Sequence, residues 1–277
     1  MGQPDPLHSL RRSLGRVRPV RAVTSRTLDA RDTLLRRRDP LTPPRRLMFV
    51  GDGDFRAAGE EFKRHFVELG GLRPEHDVLD VGCGVGRMAV PLTAFLTGRY
   101  EGLDIVPKGV RWCAETITPR FPNFRFRVAD VRSDRYHRAG STAASEYRFP
   151  YDDDSFDFVF LTSVFTHLLP ADARNYVREC ARVLRPGGTC FATFFLLNEH
   201  SERGLAEGRA QLGFGVAGDG CRLNNERVPE AAVAYAEERV AGWFSELGLE
   251  PAVHHGSWSG LAGGVSFQDV VVASAPV

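Results

Sequence analysis

The feature that most constrains this chain is a short apolar segment that runs directly into three closely spaced glycines. Residues 78–87 read VLDVGCGVGR, with glycine at positions 82, 84 and 86. The apolar run predicts a strand, and the glycines remove side chains that would hold a ligand away from the backbone beyond it. In an open parallel sheet, ligands bind where such a strand turns into the next helix. The segment therefore predicts a nucleotide-binding turn, with a purely structural turn as the alternative.

The rest of the sequence alternates between strand patterns and helix patterns. An amphipathic helix is predicted at 59–69, before the glycine segment. Further strands are predicted at 100–105, 124–130, 156–162, 189–197, 249–255 and 267–274, and further helices at 86–96, 107–117, 171–185 and 230–247. Such alternation predicts an α/β fold with a doubly wound, mostly parallel sheet that carries helices on both faces.

Two stretches depart from this regular pattern. Residues 131–154 contain turn residues and charges but no convincing helix, and residues 198–229 are polar and rich in glycine. Long connections without a regular pattern are usually functional loops or linkers. We therefore expect the 198–229 segment to be an insertion over the surface that serves as a lid or a substrate loop.

Residues 1–46 form an arginine-rich arm within a nearly neutral chain. They contain twelve arginines and four aspartates, whereas the formal net charge of all 277 residues is +1. A basic arm can contact nucleic acid or acidic lipid, but this one has no aromatic residue, and we interpret it as a solvated, partly disordered leader. We expect no nucleic-acid partner. The remaining residues, 47–277, are predicted to form the main domain, beginning with a lid at 47–70.

Membrane, disulfide and metal signals are absent from the sequence. No apolar stretch approaches the length of a membrane span, and the N-terminus lacks the apolar region of a secretory signal. Five cysteines and eight histidines are scattered without the spacing of a zinc site or a disulfide framework. We therefore expect a cytoplasmic protein with reduced cysteines and no metal, and the oligomeric state stays open.

The spacing of glycines and acids narrows the ligand. Dinucleotide sites separate the second and third glycines by two residues, whereas this chain separates them by one. Asp80 lies two residues before the first glycine, where a carboxylate repels a pyrophosphate but suits an ammonium or sulfonium group, as in S-adenosylmethionine. Asp104, at the end of the second strand, can accept hydrogen bonds from two ribose hydroxyls, and Asp130, after the third strand, from an adenine amino group. A helix cap for Asp104 and a turn residue for Asp130 are the alternatives.

With these features in place, the sequence resembles the class I S-adenosylmethionine-dependent methyltransferases. Five segments carry the resemblance, in order: VLDVGCGVGR, GLDI, VAD, FPYDDDSFDFVFLTSVFTHL and VLRPGGTCFATFF. The resemblance implies a Rossmann-like, seven-stranded sheet whose last strand is antiparallel, with S-adenosyl-L-methionine as cofactor. The cofactor contacts predicted in this way are Asp80, Gly82, Cys83, Gly84, Gly86, Arg87, Asp104, Ile105, Ala129, Asp130, Val131 and Thr162.

Methyl transfer from a sulfonium is a direct displacement, so a general base is optional. His167 is the candidate base, because it follows the fourth strand on the side that faces the methyl group in this fold; a structural role is its alternative. Relatives with phosphobase acceptors pair this histidine with a lid tyrosine, but the corresponding segment here, FVGDGDF at 49–55, has none. The predicted acceptor pocket is lined by Phe55, Ser163, Thr166 and Trp258.

The predicted function is that of an S-adenosylmethionine-dependent methyltransferase with a small-molecule acceptor, methylated at oxygen or nitrogen. A non-catalytic cofactor-binding protein and a nucleotide-dependent oxidoreductase are the alternatives, and a nucleic-acid methyltransferase would use the arginine-rich arm for phosphate contacts. The acceptor itself is not specified, since the segments that would select it carry no readable motif.

Overall fold

The computed structural model describes residue 29 and residues 39–48, 54–133 and 136–277. The chain divides into two units, Met1–Phe55 and Arg56–Val277. In the first unit, the buried carboxylate of Asp29 accepts hydrogen bonds from the backbone N–H groups of Arg45, at 2.9 Å, and Arg46, at 3.4 Å. Most of the predicted arm and residues 49–53 of the predicted lid lie outside the described residues, so the arm and the lid stay predictions.

A seven-stranded sheet forms the frame of the second unit. Its strand order is β10-β11-β5-β4-β1-β2-β3. Strand β11 runs antiparallel to both of its neighbours, and the other four pairs, which join β1 to β5, are parallel. The strands are β1 (Val78–Val81), β2 (Tyr100–Asp104), β3 (Phe124–Val128), β4 (Phe156–Leu161), β5 (Leu184–Phe194), β10 (Glu250–His254) and β11 (Asp269–Ser274). The predicted fold class, including the antiparallel last strand, is confirmed.

Helices cover both faces of this sheet. They are α1 (Phe55–Glu68), α2 (Ala89–Leu92), α3 (Pro107–Thr116), α4 (Pro170–Val183), α5 (Glu199–Ala206) and α6 (Glu237–Ser245). Within the described ranges, none of the helices is both long enough and apolar enough to cross a membrane. On one face, α4 and α6 pack on a large apolar core, and on the other Phe66 of α1 lies against Phe160 and Phe191, with ring centroids 4.4 Å and 4.9 Å away.

The helix predicted at 86–96 is much shorter in the structure. Only α2, four residues long, is helical there, and turns surround it. Gly86 has a φ of 73°, which right-handed helices do not contain, and Pro91 lacks the N–H that a longer helix would use. The glycines therefore fix an extended turn and not a long helix after β1.

A second sheet is formed by four short strands within the 196–236 segment. It consists of β6 (Leu196–Leu197), β9 (Val233–Ala236), β8 (Arg222–Leu223) and β7 (Val216–Ala217), in that spatial order. It has its own apolar cluster, made by Phe195, Phe214, Ala232, Ala234 and Trp258. The 198–229 segment, predicted as an irregular surface loop, thus contains a helix and two paired strands, and its role as a substrate loop stays a prediction.

The helix predicted at 230–247 begins only at Glu237, so the prediction is wrong for residues 230–236. Residues 233–236 form strand β9 because alternate side chains there face two different cores. Val233 and Tyr235 are buried in the large core, whereas Ala234 lies in the small cluster around Trp258. In a strand, successive side chains point to opposite faces, so one segment can contribute to two cores, whereas a helix at this place would direct its apolar side chains to one face.

The chain between β3 and β4 contains a segment, residues 144–153, that we call the strap. Its backbone is tied to α4 by three polar side chains. The Asn175 amide donates to the carbonyls of residues 144 and 147, the Glu179 carboxylate accepts from the N–H of residue 149, and Arg182 donates to the carbonyls of 149 and 151. The strap thus follows α4, and the described residues between β3 and β4 contain no helix.

Candidate functional site

The glycine turn after β1 is built from backbone in the left-handed region. Gly82, Gly84 and Gly86 have φ values of 88°, 55° and 73°. The N–H of Gly82 donates to the Leu103 carbonyl at 2.7 Å, which holds the turn against the end of β2. A Cβ on Gly82 would overlap the Val164 side chain, whereas a Cβ on Gly84 would meet nothing nearer than the Gly82 carbonyl oxygen at 4.0 Å. Gly82 is therefore required by packing, and Gly84 leaves open space beside bare backbone.

Asp104 closes the other side of this turn. One carboxylate oxygen accepts from the Gly84 N–H and the other from the Val106 N–H, both at 2.7 Å. The residue is 9% exposed, and burial raises its pKa above the ordinary value while the backbone N–H groups of Val106 and Gly84 oppose that rise. Each oxygen keeps a second lone pair. The carboxylate is thus fixed beside the turn with capacity for two further donors.

Asp80 lies beneath the turn and not in open space. It is 1% exposed, one of its oxygens accepts from the Tyr100 hydroxyl, and the other has no hydrogen-bond partner among the described residues. Burial raises the pKa of Asp80 to about 8, and the Tyr100 hydrogen bond opposes that rise. Direct contact of Asp80 with a bound ligand stays a prediction, because the carboxylate lies in the interior.

The predicted adenine side consists of residues that follow β2 and β3. Ala129 and Val131 are buried, each 2% exposed, and Ile105 is half-buried. Asp130 is exposed, and its carboxylate accepts from both the N–H and the hydroxyl of Ser141, which lowers the pKa of Asp130. These bonds hold the 131–142 loop, so the structure supplies the turn role that was the alternative for Asp130.

The other predicted cofactor residues surround the turn at different depths. Cys83 is buried, and a Cβ on Gly102 would lie 3.1 Å from its sulfur, which places Cys83 against β2. Arg87 and Thr162 are half-buried, and burial lowers the pKa of the Arg87 guanidinium. Cys83 therefore packs inward, and the two half-buried residues lie nearer the surface.

A hydrogen-bonded network follows β4 beside the glycine turn. Ser163 has a φ of 58°, one of two non-glycine residues in the described part of the chain with a positive φ. Its N–H donates to Thr193 Oγ1 at 2.7 Å, Thr193 Oγ1 donates to Gln268 Oε1 at 2.7 Å, and Ser163 Oγ donates to Gln268 Oε1 at 3.1 Å. Backbone strain of this kind is retained where surrounding contacts hold it, often at functional sites.

Thr193 and Gln268 were not identified from the sequence. Thr193 is the penultimate residue of β5, and Gln268 precedes the antiparallel strand β11, so both lie at the sheet edge where β4 ends. The Gln268 side-chain oxygen accepts hydrogen bonds from two hydroxyl groups, and this identifies which end of the amide is the oxygen. Only the order of the strands in the folded sheet brings these two residues together, and the sequence does not give that order.

His167 lies in a short 3₁₀ turn, Phe165–His167, after β4. Its Nδ1 is 2.9 Å from the backbone carbonyl oxygen of Glu230, and its ring contacts Tyr136 edge-on, with centroids 5.8 Å apart. A carbonyl can only accept, so Nδ1 carries the hydrogen, and the neutral ring has its lone pair on Nε2. The Glu230 carboxylate accepts from Ser133 Oγ at 2.7 Å. Tyr136 and Glu230 were missed because no motif marks them.

The remaining predicted pocket residues are in the interior. Thr166 is 1% exposed, and its hydroxyl has no hydrogen-bond partner among the described residues. Trp258 is fully buried in the small apolar cluster, where its Nε1–H donates to Asp269 at 2.6 Å. Phe55 is also buried. The structure therefore brings Ser163 and His167 to one edge of the sheet, and it packs Thr166 and Trp258 within the fold.

The turn fits a nucleoside with a charged amino-acid end. Open backbone at Gly84 lets such a ligand approach closely, and the fixed Asp104 carboxylate can accept from two hydroxyls of one ribose. A pyrophosphate fits less well, because the Asp104 carboxylate beside the turn would repel it and already occupies the Gly84 N–H. The donor set of the site thus agrees with S-adenosylmethionine.

Comparison with known proteins gives a family match over the centre of the chain. Residues 79–192 match the model of a methyltransferase domain. The chain is 33% identical over 183 residues to the 27-O-demethylrifamycin SV methyltransferase of Amycolatopsis mediterranei. The aligned region covers 65% of this chain and 56% of that protein. It is 26% identical over 199 residues to the tRNA N(3)-cytidine methyltransferase METTL2 of Gallus gallus, covering 70% of this chain and 48% of that protein. The chain thus spans about half the length of these curated relatives.

The fold is also similar to a solved structure. A 1,6-didemethyltoxoflavin-N1-methyltransferase from Burkholderia thailandensis, with bound 1,6-didemethyltoxoflavin and S-adenosylhomocysteine, superimposes with a TM-score of 0.50. The sequence identity is 18%, and the match covers 80% of this chain and 78% of that one. At this identity the likeness shows the fold alone.

Proposed function

This chain is a member of the class I S-adenosylmethionine-dependent methyltransferases, and from this premise we propose that it methylates a small-molecule acceptor at oxygen or nitrogen by direct displacement. Its cofactor, S-adenosylmethionine, supplies a methyl group that the positive sulfur already activates. The task of the protein is then to align the acceptor and exclude water. The observation that carries the proposal is the open glycine backbone at Gly84 beside the fixed carboxylate of Asp104.

The residues of the turn would hold the cofactor along the ends of β1, β2 and β3. Gly82, Gly84 and Gly86 would take its methionine end, and Asp104 would accept from both ribose hydroxyls. The apolar side chains of Ala129 and Val131, with Ile105, would lie against the adenine. This arrangement is supported by the resemblance of the sequence and by the burial of these apolar residues.

His167 would act as the general base in this proposal. The Glu230 carbonyl fixes the hydrogen on Nδ1, so Nε2 is the basic nitrogen of the ring, the one that would take the proton of an acceptor hydroxyl or amine. A His167→Gln variant should bind S-adenosylhomocysteine normally and turn over about a hundredfold more slowly. His255→Gln, which changes a histidine paired with Glu237, is the matched control.

Two classes of acceptor remain in competition. A small molecule is supported by the rifamycin-modifying relative, whose aligned region covers most of this chain. A tRNA acceptor is supported by the tRNA-modifying relative and by the twelve arginines of residues 1–46, since phosphate contacts rely on such charge. We favour the small molecule because the basic residues are concentrated in that arm and the remaining residues carry a net negative charge.

The experiment begins with calorimetric titration of S-adenosylhomocysteine into the full chain. Binding is expected, and a response to NAD instead would overturn the proposal in favour of an oxidoreductase. Methyl transfer from labelled S-adenosylmethionine is then measured on phenols, hydroxy-macrolides, amines and unmodified tRNA, with the full chain and with a variant that lacks residues 1–40. Transfer to tRNA that is lost with the arm would establish the nucleic-acid alternative. Binding without transfer to any of these acceptors would indicate a non-catalytic protein.

A further inference from the structure

A cavity of about 480 Å³ lies between the strap and the outer strands of the large sheet. The strap contributes residues 148–152 to its lining, and the sheet contributes Glu101 of β2 and Arg127 of β3. Arg99, which precedes β2, and Ser155, which precedes β4, both line it. These are the amino ends of the strands, whereas the glycine turn lies at their carboxyl ends. The cavity is therefore separate from the proposed cofactor site.

An acid without a partner lines this cavity. Glu101 is 8% exposed, yet its carboxylate makes no hydrogen bond and no ion pair within 4.0 Å in the described part of the chain. Burial raises the pKa of Glu101, and the charges of Arg99, Arg127 and Arg125 oppose that rise. Buried acids are normally satisfied by donors. The carboxylate thus has acceptor capacity that the neighbouring side chains leave unused.

Basic side chains also line this cavity. Arg127 makes no hydrogen bond or ion pair among the described residues, and its guanidinium carbon lies 5.6 Å from the centroid of the Tyr151 ring. Arg148 also lines the cavity and donates to Asp153 at 3.1 Å, which occupies one of its five N–H groups. Arg99 is already engaged, because it donates to the Ser155 carbonyl at 2.8 Å and lies 4.7 Å from the Phe156 ring centroid.

The Tyr151 hydroxyl adds a second unsatisfied group. Its oxygen is buried and has no hydrogen-bond partner among the described residues. Burial raises the pKa of Tyr151, and the charge of Glu101 raises it further. The hydroxyl therefore stays protonated at neutral pH, and the Tyr151 residue lines the same cavity as Glu101. An unpaired acid that lines a cavity indicates a molecule that completes its hydrogen bonds.

We propose that this cavity binds a small organic acid that carries a hydrogen-bond donor beside its acid group, namely a hydroxy acid or an amino acid. The acid group takes the N–H groups of Arg127 and Arg148, which form charge-assisted, fork-like hydrogen bonds with carboxylates. The adjacent hydroxyl or ammonium donates to the Glu101 carboxylate. A cavity of this volume accommodates a molecule of that size. The site does not depend on the proposed methyl transfer.

The test is calorimetry on the full chain with three probes that differ at one position: L-malate, L-aspartate and succinate. Malate or aspartate should bind at least about tenfold more tightly than succinate, because only these two carry the donor for Glu101. The preferred one of the two identifies the donor as hydroxyl or ammonium. Equal affinities for all three probes, or no binding of any, would overturn the proposal.

Variants assign the binding to the cavity. Arg127→Gln should weaken the tighter probe by about tenfold or more, and Glu101→Gln should remove its advantage over succinate. Arg111→Gln, an exposed change on α3 away from the cavity, should change nothing. Saturating S-adenosylhomocysteine should leave the affinities unchanged, so this test and that of the proposed function fail independently. If Arg127→Gln binds the tighter probe with unchanged affinity, the proposed site is wrong. If Glu101→Gln does not fold, the comparison of malate with succinate on the wild-type protein still decides the role of Glu101.

Discussion

The proposed cofactor side and the proposed acceptor side of this sheet edge are built in different ways. The glycine turn is made of backbone from consecutive residues, and its essential partner, Asp104, is bound directly to the Gly84 N–H. The acceptor side joins side chains that are far apart in sequence: Ser163 to Thr193, and Thr193 to Gln268, 75 residues later. A contiguous backbone site leaves a local sequence signature, whereas an assembled side-chain site does not. This contrast explains why Thr193 and Gln268 were not identified from the sequence, although Ser163 was.

The largest effect is expected from Gly82→Ala. The new Cβ would overlap Val164 at a residue with a φ of 88°, so backbone strain and overpacking add. The free energy of unfolding should fall by about 2–5 kcal/mol, measured by urea denaturation. Gly84→Ala is the matched control for packing. It should cost only about 1 kcal/mol of stability but weaken S-adenosylhomocysteine binding by about tenfold, because its methyl group enters the open space.

The assigned difference between Gly82 and Gly84 is wrong if the two glycine variants lose the same amount of stability or if Gly84→Ala binds normally. Equal losses of stability would mean that Gly84 is also a packing residue and that no ligand space lies above it. Normal binding by Gly84→Ala would remove the glycine turn from the cofactor site.

A smaller effect is expected from Thr193→Val on the acceptor side. Thr193 is fully buried, and valine would leave the Ser163 N–H without its partner, which should cost about 1–3 kcal/mol of unfolding free energy. The KM for the acceptor should rise, while S-adenosylhomocysteine affinity should stay normal in calorimetry. Thr189→Val, on the same strand and with no side-chain hydrogen bond among the described residues, is the control. A loss of cofactor affinity in Thr193→Val would mean that the two sides are one unit.

Asp104→Asn tests the side chain on which the cofactor side depends. Asparagine retains one acceptor oxygen but turns an NH₂ group toward a backbone N–H, so S-adenosylhomocysteine affinity should fall about tenfold, or about 1.4 kcal/mol. Asp130→Asn should have a smaller effect, since that exposed carboxylate is already engaged by Ser141. The reverse order of the two losses would move the ribose contact away from Asp104.

The last prediction concerns the pH dependence of stability. An unfolded chain loses the Asp80 proton near its ordinary pKa of 3.8, whereas the folded protein retains it until about pH 8. Between these values the folded state binds more protons, so this group makes the free energy of unfolding fall as pH rises, by at most about 1.4 kcal/mol per pH unit. Asp80→Asn should flatten that dependence in urea titrations at pH 5–8. An identical slope in wild type and variant would show that Asp80 ionises normally.

Strand positions were predictable because their apolar runs are long and the connections are punctuated by glycine and proline. Strand β4 is buried along nearly its whole length, as a central parallel strand should be, and the residues of Phe156–Leu161 are apolar with one exception. The glycine spacing predicted the turn for the same reason, since φ values near 55–88° favour glycine. Local chemistry was sufficient for these elements.

Other features depend on partners that the sequence does not bring together. Strand β9 was read as helix because Val233, Ala236 and Val240 also fit a helical spacing, and only the presence of two cores selects the strand. The burial of Asp80 was missed because its partner, Tyr100, lies on the neighbouring strand. Gln268 and Glu230 lie in segments without motifs. In each case, tertiary contact decided between two locally acceptable readings.

Asp269 at the start of β11 determines when the small sheet can be completed during synthesis. Its carboxylate accepts from the N–H groups of Leu196 and Gly256 and from the Trp258 ring, so one late residue fastens the segment that precedes it by more than seventy positions. A growing chain cannot lock the small sheet around Trp258 until residue 269 has emerged from the ribosome. The small sheet is therefore completed late in synthesis, and we expect a protease to cut a nascent chain that is stalled before residue 269 in that sheet.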